Sequence, residues 1–235
     1  MRIEVLADAE AVATRAAQLI AEQARDAVRA RGAFVAAISG GRTPWQMLRV
    51  LATQDVPWSH VHLFQVDERV APAGHADRNL THLGESLQRA APAAARIHAM
   101  PVEAPDLEQA AARYAAQLEQ LAGSPAVLDL VHLGLGSDGH TASLVPGDAA
   151  LDVHDADVST TGVYQGRRRL TLTYPILDRA RRVLWLVTGG DKAAPLSRLL
   201  AGDASIPAGR VQQARALLLA DRAAAGDLAT PSAQG

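Results

Sequence analysis

The sequence predicts an α/β fold: a mainly parallel sheet with helices on both faces and a small antiparallel β addition. Three observations carry this. Four apolar runs of strand length, AFVAAI at 33–38, VHLFQV at 61–66, VLDLVHL at 127–133 and RVLWLVT at 182–188, have the pattern of strands buried on both faces. Segments with helical periodicity separate them, so helix and strand alternate nearly throughout. One stretch, 158–174, is instead β-rich around Gly166, which suits an antiparallel pair.

Over 8–31 the apolar residues Val12, Ala16, Leu19, Ile20, Ala24 and Val28 recur at three- and four-residue steps. With Asp8 placed as N-cap and Gly32 as stop, this predicts a long amphipathic helix. The strand at 33–38 runs into Ser-Gly-Gly, and Thr43-Pro44 reads as N-cap and first-turn proline of a helix over 44–52. The strand at 61–66 leads into Asp67-Glu68-Arg69, a charged loop at its end. Helices are expected over 79–89 and 107–121, the second closed by Gly123. VSTTGVY and RRLTLTY flank Gly166 as the β pair, ALLLA at 216–220 is a last strand, and ATPSAQG reads as a frayed tail. No repeat or linker interrupts the 235 residues, so the expectation is one domain over 1–229 with a flexible tail over 230–235.

Composition narrows the function. Hydrophobic residues at 49% and charged residues at 20% are ordinary for a folded globular chain, which excludes disorder. A formal net charge of −2 without a long Lys/Arg cluster argues against nucleic acid. The densest basic run, Arg167-Arg168-Arg169, reads as a solvated strand start and leaves a single anionic ligand open. Absence of cysteine removes disulfides, thiol nucleophiles and cysteine metal sites, and fits a reducing compartment. His60 and His62 alternate at a strand start, no metal-ligand spacing such as His-Glu-x-x-His occurs, and no metal is assigned. The N-terminus lacks a signal-peptide pattern and no segment approaches a membrane span, so a soluble, cytoplasmic protein is expected.

In an open parallel sheet, ligands collect beyond the carboxyl ends of the strands. Three such loops carry unusual residues. In SGGRTP, 39–44, Gly40 and Gly41 allow the backbone to approach a ligand, and the following helix aims its free N–H groups at the same place. Ser39, Arg42 and Thr43 add a charge and hydroxyls, which makes a phosphate cradle; the loop alone is equally compatible with a plain tight turn. Asp67 and Arg69 put a carboxylate and a guanidinium at a strand end, where they are either surface charges or contacts for a polar substrate.

The third loop, GLGSDG at 134–139, matches the glycine spacing of dinucleotide-binding proteins. That fingerprint needs a long helix after the last glycine, whereas Pro146-Gly147 interrupts the segment here, and Asp155 and Asp157 precede the next β-rich run. Nor is it a nucleophile elbow, because position 135 is leucine. What remains is Asp138 beside His140 in a glycine-rich loop, with an imidazole whose ordinary pKa suits proton transfer.

In this order SGGRTP, DERV, GLGSDGHTASLVPG and RRLTLTYPILDRARRVLWLVTGGDKA resemble the 6-phosphogluconolactonase family over most of the chain. The resemblance implies a three-layer, modified Rossmann-like sheet shared with glucosamine-6-phosphate isomerase/deaminase and ribose-5-phosphate isomerase relatives. It implies hydrolysis of a sugar-phosphate lactone, 6-phospho-D-glucono-1,5-lactone, in the pentose phosphate pathway, without a cofactor. By motif, the phosphate falls to Gly40, Gly41, Arg42 and Thr43, with Lys192 and Arg169 as cationic partners. Asp67 and Arg69 lie near the sugar ring, His140 is the general base, Asp138 is placed to orient it, and Arg69 or loop N–H groups are candidates for the oxyanion. The expected state is a monomer or small homo-oligomer.

The nearest competitor is the amino-sugar-phosphate isomerase/deaminase, whose matching loop carries a glutamate five residues after the histidine. Here that position is Val145. A non-catalytic sugar-phosphate sensor is a third reading, against which stand both Asp67 and His140. The chain departs from the family pattern at Arg42, at Arg78 and at Gly166-Arg167.

Overall fold

The computed structural model describes residues 1–87 and 96–226. The chain begins with strand β1 (Arg2–Leu6) and helix α1 (Ala9–Arg31), then β2 (Phe34–Ile38) and α2 (Arg42–Leu51). Next come β3 (Val61–Gln65), β4 (Asp67–Arg69), α3 (Asn79–Leu87) and β5 (Arg96–His98). Helix α4 (Leu107–Ala122) leads to β6 (Leu130–Gly134), followed by β7 (Val158–Thr160), β8 (Arg169–Leu172) and α5 (Tyr174–Arg179). Strand β9 (Val183–Val187), α6 (Ala193–Leu200), β10 (Ala216–Asp221) and α7 (Arg222–Ala225) complete the described chain.

Seven strands form one parallel sheet in the order β1-β10-β9-β6-β2-β3-β5, and β4-β8-β7 form a small antiparallel sheet. Alternate residues of each central strand serve opposite cores. Phe34, Ala36, Leu184, Leu186, Leu217 and Leu219 face one helical layer with α1 and α2. Val35, Ala37, Val183, Trp185, Leu218 and Ala220 face the other with α4, α5 and α6. The continuous apolar runs are therefore two-sided strands, as their lack of alternation implied.

Helix α1 is bounded by the expected signals: the Asp8 side chain accepts from the Ala11 amide, and Gly32 takes the left-handed conformation at φ 81°. Its buried stripe is rich in alanine, which lets the helix lie close to the sheet. Several expectations need correction. The helix after β2 starts at Arg42 with Gly41 as its cap, not at Pro44 with Thr43 as its cap, because Gly41 at φ 131° turns the chain two residues earlier. Asp67-Glu68-Arg69 is a strand paired with β8, not a loop. Strand β6 begins at Leu130 rather than 127. Arg169 is buried, not solvated, because β8 carries it inward under the neighbouring hairpin. Strands β1 and β5 have no counterpart in the sequence reading. Positions 88–89 of the expected helix and the expected tail lie outside the described residues.

The sheet order reverses between β2 and β6: from β2 the chain runs outward through β3 to β5, then returns to β6 on the other side. The carboxyl ends of those two neighbours are where a crevice opens in such sheets. SGGRTP leaves one of them and GLGSDGH leaves the other.

Candidate active site

At this crevice a cavity of about 380 Å³ is lined by Ser39, Gly40, Gly41, Arg42, Asp67, Arg69, His140, Arg169 and Lys192. An adjoining hollow of about 760 Å³ shares Gly40, Gly41, Arg42 and Lys192, and adds Thr43. Asp138 sits behind His140. The fold thus gathers the expected phosphate-binding and catalytic residues around one opening.

The cradle side is fixed from below. The Ser39 amide donates to His132 Nδ1 at 3.2 Å and its hydroxyl to the His132 carbonyl at 2.9 Å, tying the end of β2 to β6. The Ser39 side chain therefore braces the loop, while the backbone beyond it faces the cavity. A Cβ on Gly40 would stand 2.0 Å from Asn79 Oδ1, so only glycine fits there. Arg42 and Thr43 begin α2, and their N–H groups have no partner inside the helix. Thr43 Oγ1 lies 2.8 Å from Thr188 Oγ1 at the end of β9. Arg42 and Lys192 give this end its positive charge, with Lys192 3.0 Å from Asp191.

The opposite side is built on GLGSDGH. The loop closes on itself, with the Gly136 amide donating to the His140 carbonyl at 2.8 Å and the Gly139 amide to the Gly136 carbonyl at 3.0 Å. His140 Nδ1 lies 2.6 Å from Asp138 Oδ1, which also accepts from the His140 amide at 3.1 Å. The Tyr164 hydroxyl donates to Oδ2 at 3.0 Å. Burial alone would raise the Asp138 pKa; the amide, imidazole and phenol donors outweigh it and lower the value. Gly136 is required by this pair: a Cβ there would stand 2.1 Å from His140 Nδ1 and 2.7 Å from Asp138 Oδ1.

The floor comes from the antiparallel sheet. Buried Asp67 accepts from Ser143 Oγ at 2.6 Å and from Asn79 Nδ2 at 3.3 Å. Arg69 Nη1 donates to the Asp77 carbonyl at 2.9 Å and to Asn79 Oδ1 at 3.1 Å. Arg169 Nη1 donates to Ser143 Oγ at 3.3 Å, and its guanidinium carbon stands 5.0 Å from the centre of the Tyr164 ring. Burial holds Arg169 below its ordinary pKa against the pull of Asp67. Its Nε is buried without a partner among the described residues.

Asn79, Ser143 and Tyr164 are the functional candidates that sequence reasoning missed. Asn79 lies next to Arg78, whose departure from the pattern marked that segment. Arg78 itself is buried and pairs with Glu68 at 3.2 Å, away from the cavity. Glu68 accepts from the amides of Arg69, Asn79 and Leu80, each at 2.8 Å, so it locks β4 to the start of α3.

Imidazole hydrogen-bonded to carboxylate, cations at two ends of a cavity and a glycine cradle suit proton transfer on an anionic, oxygen-rich substrate. Residues 7–219 match the family described as glucosamine-6-phosphate isomerases/6-phosphogluconolactonase. The chain belongs to this family. The 6-phosphogluconolactonase of Nostoc sp. is 36% identical, with 96% of this chain and 98% of that protein covered. That of Synechocystis sp. is 38% identical, covering 86% of each. The solved 6-phosphogluconolactonase of Trypanosoma brucei matches with a TM-score of 0.84 at 26% identity, covering 97% of this chain and 98% of that one. The glucosamine-6-phosphate isomerase/6-phosphogluconolactonase family thus accounts for both the parallel sheet and its antiparallel annex.

Proposed function

We propose that the chain hydrolyses 6-phospho-D-glucono-1,5-lactone to 6-phospho-D-gluconate in the oxidative pentose phosphate pathway. The observation that carries this reading is the Asp138–His140 pair at 2.6 Å, whose imidazole lines a cavity with a glycine cradle and the cations Arg42, Arg69, Arg169 and Lys192. With Nδ1 turned to Asp138, the Nε2 lone pair is left for a water molecule. That nitrogen takes a proton as the water oxygen attacks C1, and the carbonyl electrons move onto oxygen. When the C1–ring oxygen bond breaks, the departing oxygen takes the proton back from the imidazolium. Arg69 and the loop N–H groups are the candidate donors for the oxyanion, and Asp67 lies near the ring hydroxyls. The phosphate rests on Gly40, Gly41, Arg42 and Thr43 with Lys192 and Arg169 as cationic partners, so that distant binding energy positions the ring.

The position that carries glutamate in the amino-sugar deaminase pattern is a buried valine, Val145, which supports hydrolysis over ring-opening isomerisation. We read residues 1–229 as one catalytic domain acting as a monomer or small homo-oligomer in the cytoplasm. No helix among the described residues is long and apolar enough to cross a membrane.

The test is the rate of lactone hydrolysis against the spontaneous rate in the same buffer. Acceleration by the purified protein is expected, and His140→Ala removes most of it while product binding persists. Absence of acceleration overturns the reading, and ammonia release from glucosamine 6-phosphate replaces it with the deaminase.

A further inference from the structure

Between β7 and β8 the chain makes a two-residue hairpin turn. Tyr164 and Arg167 pair across it, with N–H···O distances of 3.0 and 3.3 Å. Gln165 at φ 51° and Gly166 at φ 78° supply the left-handed corner that such turns require. The tip is not free: Arg167 donates through Nε and Nη2 to Asp77 Oδ2 at 3.1 and 2.9 Å, which clasps the hairpin to the segment before α3. The clasp leaves Tyr164 against Asp138, His140 and Arg169. Its hydroxyl reaches Asp138 Oδ2 at 3.0 Å, and its ring meets the His140 ring edge-on at 5.5 Å. The face of the same ring lies 5.0 Å from the Arg169 guanidinium.

We propose that Tyr164 is a positioning residue with two separable parts, a hydroxyl that orients the Asp138–His140 pair and a ring that holds Arg169 over the cavity floor. The inference rests on the reading of His140 as base. Asp138 receives the imidazole on Oδ1 and the phenol on Oδ2, so neither oxygen is free to rotate away, and the imidazole keeps one tautomer. Because the phenol acts through Asp138, its loss acts on the chemical step and not on substrate binding. The ring is different: a guanidinium stacked on an aromatic face is held in one pose, and releasing it weakens the grip on the substrate.

The experiment compares Tyr164→Phe, Tyr164→Ala and each change in an Asp138→Ala background, using lactone hydrolysis and 6-phosphogluconate binding. Tyr164→Phe lowers kcat about tenfold with KM unchanged, as expected for losing one hydrogen bond to a charged group. Tyr164→Ala adds a rise in KM. In the Asp138→Ala background Tyr164→Phe costs nothing further, which a merely structural role would not produce. Equal kcat for Tyr164→Phe and the parent, or additive losses with Asp138→Ala, overturns the proposal. Full activity in His140→Ala strikes instead at the general-base reading, so the two failures are distinguishable.

Discussion

Ser143 and Asp67, 76 residues apart in the chain, meet at 2.6 Å beneath the cavity, and the Ser143 hydroxyl accepts in turn from Arg169. One hydroxyl therefore connects the floor's carboxylate to its buried cation. Ser143 itself is fully buried.

Replacing Ser143 by alanine leaves Asp67 Oδ2 and Arg169 short of a partner. The expected stability loss is about 1–3 kcal/mol, read from urea unfolding. The kcat/KM for the lactone falls in parallel. Unchanged stability and turnover would show that Asp67 and Arg169 are held without it.

Arg78 and Glu68 form an ion pair with side chains 3% and 0% exposed. Arg78→Leu strands a carboxylate that also caps β4 and α3, and is expected to cost about 3 kcal/mol or more. Because Arg78 does not line the cavity, KM of the folded fraction stays near the parental value. A large KM effect with normal unfolding would return Arg78 to the substrate.

Gly136→Ala tests the room that the Asp138–His140 pair needs. The added methyl would stand 2.1 Å from His140 Nδ1, so the imidazole must leave Asp138. Turnover is expected to fall by about as much as in His140→Ala, with the melting temperature changed by only a few degrees. Parental turnover would mean that the pair is dispensable.

His132 is fully buried and accepts the Ser39 amide, and burial pushes its pKa down to about 3. Burial lowers His98 to about 4, and His62 shifts in the same direction. Unfolded histidine titrates near about 6.5. Above that pH neither state binds the proton. Below it the unfolded chain takes up protons that the fold refuses, so stability falls from about pH 6.5 and levels off only near the folded values. His132→Asn, which retains an acceptor for Ser39, flattens this slope when unfolding is measured between pH 7.5 and pH 4. Equal slopes in the two proteins would remove His132 as the cause.

The central strands and α1 were legible in the sequence because their signals are local: unbroken apolar runs, a three-to-four-residue stripe, Asp8 and Gly32. Strand β4 was not, because Asp67-Glu68-Arg69 becomes a strand only by pairing with residues 169–171. Strand β1 is a half-exposed edge whose apolar members Ile3 and Val5 barely enter a core. The site followed the same rule. Glycines, His140 and the cations advertise themselves by type and spacing, whereas Asn79, Ser143 and Tyr164 matter through partners that only the fold brings near. In GLGSDG, Gly136 is required for the steric room it leaves the Asp138–His140 pair.

The position of β1 bears on how the chain is made. Its parallel partner is β10, with Arg2 opposite Leu217, and β10 stands between it and the rest of the sheet. During synthesis β1 therefore waits until β10, its partner at the sheet edge, has emerged from the ribosome before it has a place to bind. Until then Ile3 and Val5 are an unpaired apolar edge on a nascent polypeptide, of the kind that chaperones shield.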